Sequence, residues 1–337
     1  MDESTEETGP PQHPYSALTP ELILAILDSL GLHSDARILA LNSYENRVYR
    51  IGIEDGPPVI AKFYRPARWS DEQILEEHSF SEELAALEIP VVAPLKFDGN
   101  TTLLNRSGFR FALFPFMAGR APEFDQDDTL TMMGRFIGRV HSAGVLSQFE
   151  HRPALKVESF AGASREFLLN NNFIPYDLQP AYESLTQHLI DRLNQLLPDS
   201  RVENYIRVHG DCHIGNVLWR DGAPNFVDFD DCLMGPPMQD LWMLLSGDRD
   251  RKQGQLMKLA EGYNDFNRFP VRELELVEVL RTLRIIHYSA WLARRWGDPA
   301  FPRNFPWFNT PRYWSEHILE LREQMAMLDE APLQLII

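Results

Sequence analysis

A chain of 337 residues with 44% hydrophobic content can bury a large core, and its length exceeds what one compact core usually organises, so two lobes flanking a cleft are expected. Its formal charge of −17, from 49 acidic against 32 basic side chains, argues against phosphate-backbone binding, and no nucleic-acid partner is expected. No apolar run approaches the roughly 18–20 residues that cross a bilayer, the stretch from Met1 to Pro14 is too acidic and polar for a secretory signal, and Cys212 and Cys232 alone make no disulfide framework, so a cytoplasmic protein without a membrane partner is expected.

Residues 1–18, rich in Asp, Glu, Pro and Thr, read as a mobile N-terminal tail. Thr19 followed by Pro20 opens a helix that runs to about Leu30. Strand-like segments follow at 37–42, 47–53 and 58–64, the last two joined by the turn signal Glu54-Asp55-Gly56. Residues 71–87 carry helical spacing, with Ile74, Phe80, Leu84 and Leu87 on one stripe and Ser70 or Asp71 as cap. Strands near 101–104 and 109–114 complete a small antiparallel sheet, which Pro115-Phe116-Met117-Ala118-Gly119 breaks. The lobe boundary is placed there, with an N-lobe over 19–115 and a mainly helical C-lobe over 116–337. Helical patterns in the C-lobe cover 127–142, 164–171, 178–197, 237–245, 249–267, 272–296 and 313–328.

The densest chemistry lies in His209-Gly210-Asp211-Cys212-His213-Ile214-Gly215-Asn216, followed by a short hairpin that ends at Asp228. The apolar run Val217-Leu218-Trp219 reads as its first strand and Asp221-Gly222 as its turn. Such a layout suits phosphoryl transfer. Asp211 can accept the proton of an attacking hydroxyl, while Asn216 and Asp228 can hold Mg²⁺ against the phosphates of ATP. Asp230, Asp231 and His213 lie within reach of the same chemistry without an assigned role. Earlier in the chain, Lys62 sits among apolar neighbours in Val59-Ile60-Ala61-Lys62-Phe63, so it must face a cleft or pair with an acid. Glu77, three residues before Phe80 and seven before Leu84, falls on the inward stripe of the following helix.

A five-stranded lobe with one helix, a proline-marked hinge, and His-Gly-Asp-x-x-x-x-Asn with an Asp-Phe-Asp hairpin resemble the aminoglycoside phosphotransferase and choline kinase branch of the protein kinase-like fold. The segments 41–49, 62–66, 73–78, 240–245 and 301–307 extend the resemblance toward bacterial stress-response serine/threonine kinases of that branch. The resemblance implies a bilobal α+β fold, ATP and Mg²⁺, and a protein Ser/Thr hydroxyl as acceptor; a monomer is expected. It also implies that Lys62 meets the α- and β-phosphates, steadied by Glu77, and that Ser43 and, more weakly, Asn46 touch ATP from the glycine-free turn Asn42-Ser43-Tyr44-Glu45-Asn46. Backbone groups of Phe116 and Met117 are expected at the adenine, and Asp240 and His209 are expected to brace the catalytic loop. Three other readings stay open: a small-molecule alcohol kinase, a zinc hydrolase built on His209, Asp211, His213 and Asp228, and a scaffold that binds nucleotide without catalysis.

Overall fold

The computed structural model describes residues 14–97, 99–124 and 127–335. Two compact units divide the α+β chain: one takes the residues up to His78 with Ala93–Met117, the other Ser79–Val92 with everything from Ala118 onward. The first thirteen residues of the expected tail lie outside the described residues. Of the remainder, Tyr15 and Leu18 are buried, and the Tyr15 hydroxyl donates to the Phe63 carbonyl at 3.2 Å, so 15–18 belong to the first core and not to a tail.

In the first unit, α1 (Pro20–Asp28) starts where the Thr19 hydroxyl accepts the Leu22 N–H and proline presets the first turn. Five antiparallel strands follow, β1 (Ser34–Ala40), β2 (Arg47–Ile53), β3 (Gly56–Phe63), β4 (Leu104–Arg106) and β5 (Phe109–Pro115), in the order β1-β2-β3-β5-β4. Two strands differ from the sequence expectation. β1 begins earlier, because its pairing with β2 carries an irregularity between Ser34 and Ile38, where Ala36 has φ of 65°. β4 begins at Leu104, because Thr101 bridges back to Phe97. Ile23, Ile26 and Leu27 of α1 pack with Ile51, Val59, Ala61, Phe63, Phe111 and Leu113 of the sheet to form this unit's core. Between β3 and β4 runs α2 (Asp71–Ala86), opened by a reciprocal cap in which Ser70 N–H donates to Gln73 Oε1 and Gln73 N–H to Ser70 Oγ.

The second unit begins within α2 at Ser79, so Phe80 and Leu84 join the second, larger core. It continues through α3 (Asp127–Gly144), α4 (Ala163–Asn170) and α5 (Gln179–Leu196), then four short strands, β6 (Ile206–Val208), β7 (Val217–Arg220), β8 (Ala223–Phe226) and β9 (Leu233–Gly235). It closes with α6 (Met238–Leu241), α7 (Arg249–Tyr263), α8 (Val277–Arg294), α9 (Ala300–Asn304) and α10 (Pro311–Met327). The expected helix over 272–296 starts only at Val277, because Pro270 is followed by a 3-10 turn over Val271–Leu276. Against α3, α7 packs so closely that a Cβ on Gly262 would lie 1.8 Å from the Thr131 carbonyl oxygen. The pairing of β6 with β9, unanticipated because each has only three residues, frames the loop from His209. Phe301 and Trp314 of the aromatic C-terminal run are buried in the core. Among the described residues no helix is long and apolar enough to cross a membrane.

Candidate active site

Leaving β6, the chain turns at Gly210 with φ of +85°, and a Cβ there would lie 2.1 Å from the Asp231 carbonyl oxygen, so only glycine fits. The turn is held from below by Asp240, whose side chain is fully buried: Oδ2 accepts the His209 N–H and Oδ1 the Gly210 N–H, both at 2.8 Å. Gln239 adds a hydrogen bond from Nε2 to the Gly210 carbonyl at 2.8 Å. His141, at the end of α3, places Nε2 3.1 Å from Asp240 Oδ2 and Nδ1 3.0 Å from the Tyr263 hydroxyl.

His209 braces the loop from the other side. Its Nε2 donates to the Val227 carbonyl at 3.0 Å, which leaves Nδ1 to face the Asp211 N–H at 3.4 Å. The residue is 2% exposed and its ring lies 4.4 Å from that of Phe229, so His209 is a buried brace of the loop.

Asp211 projects from this braced turn with 22% of its side chain exposed. Its Oδ1 receives Arg284 Nη1 at 2.5 Å, while Oδ2 lies 3.4 Å from both His213 Nε2 and Asn216 Nδ2. Burial works to raise this carboxyl's pKa, but the His213 hydrogen bond and the Arg284 charge outweigh it and hold the group well below the usual carboxylate range. The His213 tautomer is fixed locally, since Nδ1 accepts the Gly215 N–H at 2.9 Å and the proton must sit on Nε2, toward Asp211. Arg284 was not legible as a site residue: it lies 73 positions downstream, on α8, with no motif around it.

Asn216 is anchored through its amide, whose Nδ2 donates to the Asp211 carbonyl at 3.0 Å and so turns Oδ1 the other way. Its own carbonyl accepts the Val227 N–H at 3.0 Å, which brings the hairpin's exit beside the loop. The next residue, Asp228, is exposed and has φ of 60°, just past the strand that stops at Phe226. Among the described residues no group of three or more His, Cys, Asp or Glu is arranged to hold a metal ion. One amide oxygen and one carboxylate are a different donor set, and they fit Mg²⁺, which takes few protein oxygens and completes its shell with phosphates and water. Asp230 is buried, its carbonyl accepting Arg152 Nη1 at 2.7 Å. Cys212 is buried, and burial followed by the charges of Asp240 and Asp211 pushes its thiol well above the ordinary value, which argues against redox sensing.

In the first unit, Lys62 Nζ lies 3.3 Å from Glu77 Oε1, with only 7% and 3% of the two side chains exposed. Ser43 is half-buried in the turn between β1 and β2. Asn46 is 3% exposed and its Oδ1 accepts the Arg65 N–H at 3.0 Å, so its amide oxygen braces the turn. Phe116 and Met117 are half-buried after β5, with the Arg50 guanidinium 4.1 Å above the Phe116 ring.

Residues 37–274 match the phosphotransferase enzyme family, and the chain belongs to it. Its fold is the aminoglycoside phosphotransferase form of the protein kinase-like fold. Stress response kinase A of Escherichia coli strain K12 is 44% identical over 321 residues, which cover 95% of this chain and 97% of that protein. Serine/threonine protein kinase RdoA of Salmonella typhimurium strain LT2 is 43% identical over the same length, with the same coverage. Among solved structures, amicoumacin kinase hAmiN in complex with AMP-PNP, Ca²⁺ and Ami superposes with a TM-score of 0.71 at 21% identity, covering 94% of this chain and 96% of that one. The microcompartment-associated aminopropanol kinase gives 0.70 at 15% identity, covering 94% and 100%. At these identities the two structures share the fold.

Proposed function

We propose that this chain is a Mg²⁺-dependent serine/threonine protein kinase that uses ATP, acting in a bacterial stress response. The observation that carries the reading is the paired anchoring of Asn216, whose amide fixes it to Asp211 and whose carbonyl fixes it to the residue before Asp228. An acceptor hydroxyl donates to Asp211 and is aimed at the γ-phosphorus. As its oxygen bonds to phosphorus, the bond to the β,γ-bridging oxygen breaks, ADP leaves, and the hydroxyl proton passes to Asp211. Because the Asp211 carboxyl is held acidic, its contribution is orientation more than basicity. Asn216 Oδ1 and Asp228 would hold Mg²⁺, which when bound neutralises charge on the β- and γ-phosphates. Lys62, set in place by Glu77, meets the α- and β-phosphates, Ser43 adds a hydroxyl donor, and the backbone of Phe116 and Met117 meets adenine.

Support for a protein acceptor comes from the 43–44% identity to relatives named stress response kinase A and serine/threonine protein kinase RdoA. A small-molecule alcohol acceptor is the second reading, favoured by the fold shared with amicoumacin and aminopropanol kinases. Labelled γ-phosphate should pass from ATP to Ser or Thr of a generic protein substrate, or of the enzyme itself, only when Mg²⁺ is present. Asp211→Asn should lower the rate by about 10²–10⁴-fold while nucleotide binding persists. Label found only on an aminoglycoside, choline or aminopropanol refutes the protein-kinase reading, and no label on any acceptor refutes phosphotransfer itself.

A further inference from the structure

We propose that Arg284 sets the acceptor class at Asp211, favouring a hydroxyl carried beside an anionic group, as in an acidic peptide segment, and disfavouring cationic amino alcohols; this rests on the phosphotransfer reading above. Arg284 Nη1 sits 2.5 Å from Asp211 Oδ1 with 42% of the side chain exposed. The Oδ2 side is left to an incoming hydroxyl, because its two contacts, from His213 and Asn216, are both 3.4 Å long and weaker than a good hydrogen bond. An acceptor seated there lies on the order of 5–6 Å from a full positive charge. The guanidinium offsets the nearer Asp211 carboxylate, so an ammonium on the acceptor gains little there, while a carboxylate or phosphate beside the hydroxyl can reach the guanidinium itself.

Among the described residues the hydrogen bonds of Arg284 go to Asp211 alone. A guanidinium carries several N–H donors, so donors remain for a second anion. Tyr288 and Trp291 follow Arg284 at four and seven positions along α8, on the same helix face. Their rings stack at 5.7 Å and 13°, and Tyr288 is 38% exposed. A polypeptide with an acidic residue at Arg284 can lay its next side chain on the exposed part of Tyr288, which a small amino alcohol is too short to reach. The chain's net charge of −17 opposes an acidic partner at long range. Screening beyond about 8 Å at physiological salt leaves selection at contact to the groups within reach.

The test compares kcat/KM for a serine peptide flanked by Asp and Glu, the same peptide flanked by Lys, and aminopropanol, each with labelled ATP and Mg²⁺. Wild type should prefer the acidic peptide by about tenfold, and the preference should shrink at high salt. Arg284→Gln should bring the two peptides together, Arg284→Lys should retain the order, and Arg284→Glu should invert it. Wild type with equal rates, or with a preference for the basic peptide or aminopropanol, overturns the proposal while phosphotransfer stands. An unchanged ratio in Arg284→Gln, with kcat reduced alike for both peptides, reduces Arg284 to a brace for Asp211 and also overturns it. Absence of transfer to every acceptor overturns the phosphotransfer reading and this proposal with it.

Discussion

Replacing Asp240 tests whether the loop from His209 to Asn216, proposed to be catalytic, owes its shape to one buried carboxylate. Its two oxygens each accept a loop N–H at 2.8 Å, and the side chain is buried. In Asp240→Ala both donors lose their acceptor inside the protein; at about 1.5–3 kcal/mol for each hydrogen bond to a charged group, the loss is about 3–6 kcal/mol. Asp240→Asn keeps one acceptor oxygen and turns an NH₂ toward the other donor, so about half of that is expected, about 1.5–3 kcal/mol. Because His209 and Gly210 immediately precede Asp211, the same change displaces Asp211, and a displacement of about 1 Å can cost about 10²-fold in rate. Urea unfolding, read by tryptophan fluorescence, measures the first effect, and phosphotransfer at saturating ATP measures the second. An Asp240→Asn protein within about 0.5 kcal/mol of wild type and with unchanged kcat refutes the reasoning.

Gly210→Ala should destabilise by at least about 2 kcal/mol, since its Cβ meets the Asp231 carbonyl at 2.1 Å and its φ is +85°; a wild-type urea midpoint would contradict this. Lys62→Met removes the Lys62 cation from the buried Glu77 carboxylate and should lower stability, whereas Lys62→Met with Glu77→Leu should regain much of the stability while remaining inactive; thermal melts of the single and double variants decide it. The folded pKa of Asp211 lies below its unfolded value, so its contribution to stability is present above the ordinary carboxylate range and is lost as pH falls. The stability of wild type relative to Asp211→Asn should therefore be constant from about pH 6 to 8 and change progressively below about pH 4, and a pH-independent difference in urea titrations would refute the assignment. Native Cys212 should resist iodoacetamide until the protein unfolds, as its burial and raised thiol require, and rapid labelling seen by mass spectrometry would contradict that.

Local chemistry made much of this protein legible in its sequence. The hydrophobic periodicity of the elements, the Thr19 and Ser70 caps and the His-Gly-Asp-x-x-x-x-Asn loop act over a few residues, so their signals are written where they operate. Periodicity turned Lys62 and Glu77, fifteen positions apart on a strand and the helix that follows it, inward, and the family resemblance paired them. Other features depend on groups far apart in sequence. Tyr15 is buried because its hydroxyl finds a carbonyl 48 residues away, in a segment that composition alone marks as a tail. The pairing of β6 with β9 rests on strands of three residues, too short to show an alternating pattern. Arg284 reaches Asp211 across 73 positions only because α8 folds past the loop, and a lone arginine on a helix looks like any solvated residue until its partner is in place. Sequence thus determined which groups are able to do the chemistry, and tertiary packing decided which charges stand beside them, because electrostatic influence falls off with distance through space and is indifferent to distance along the chain.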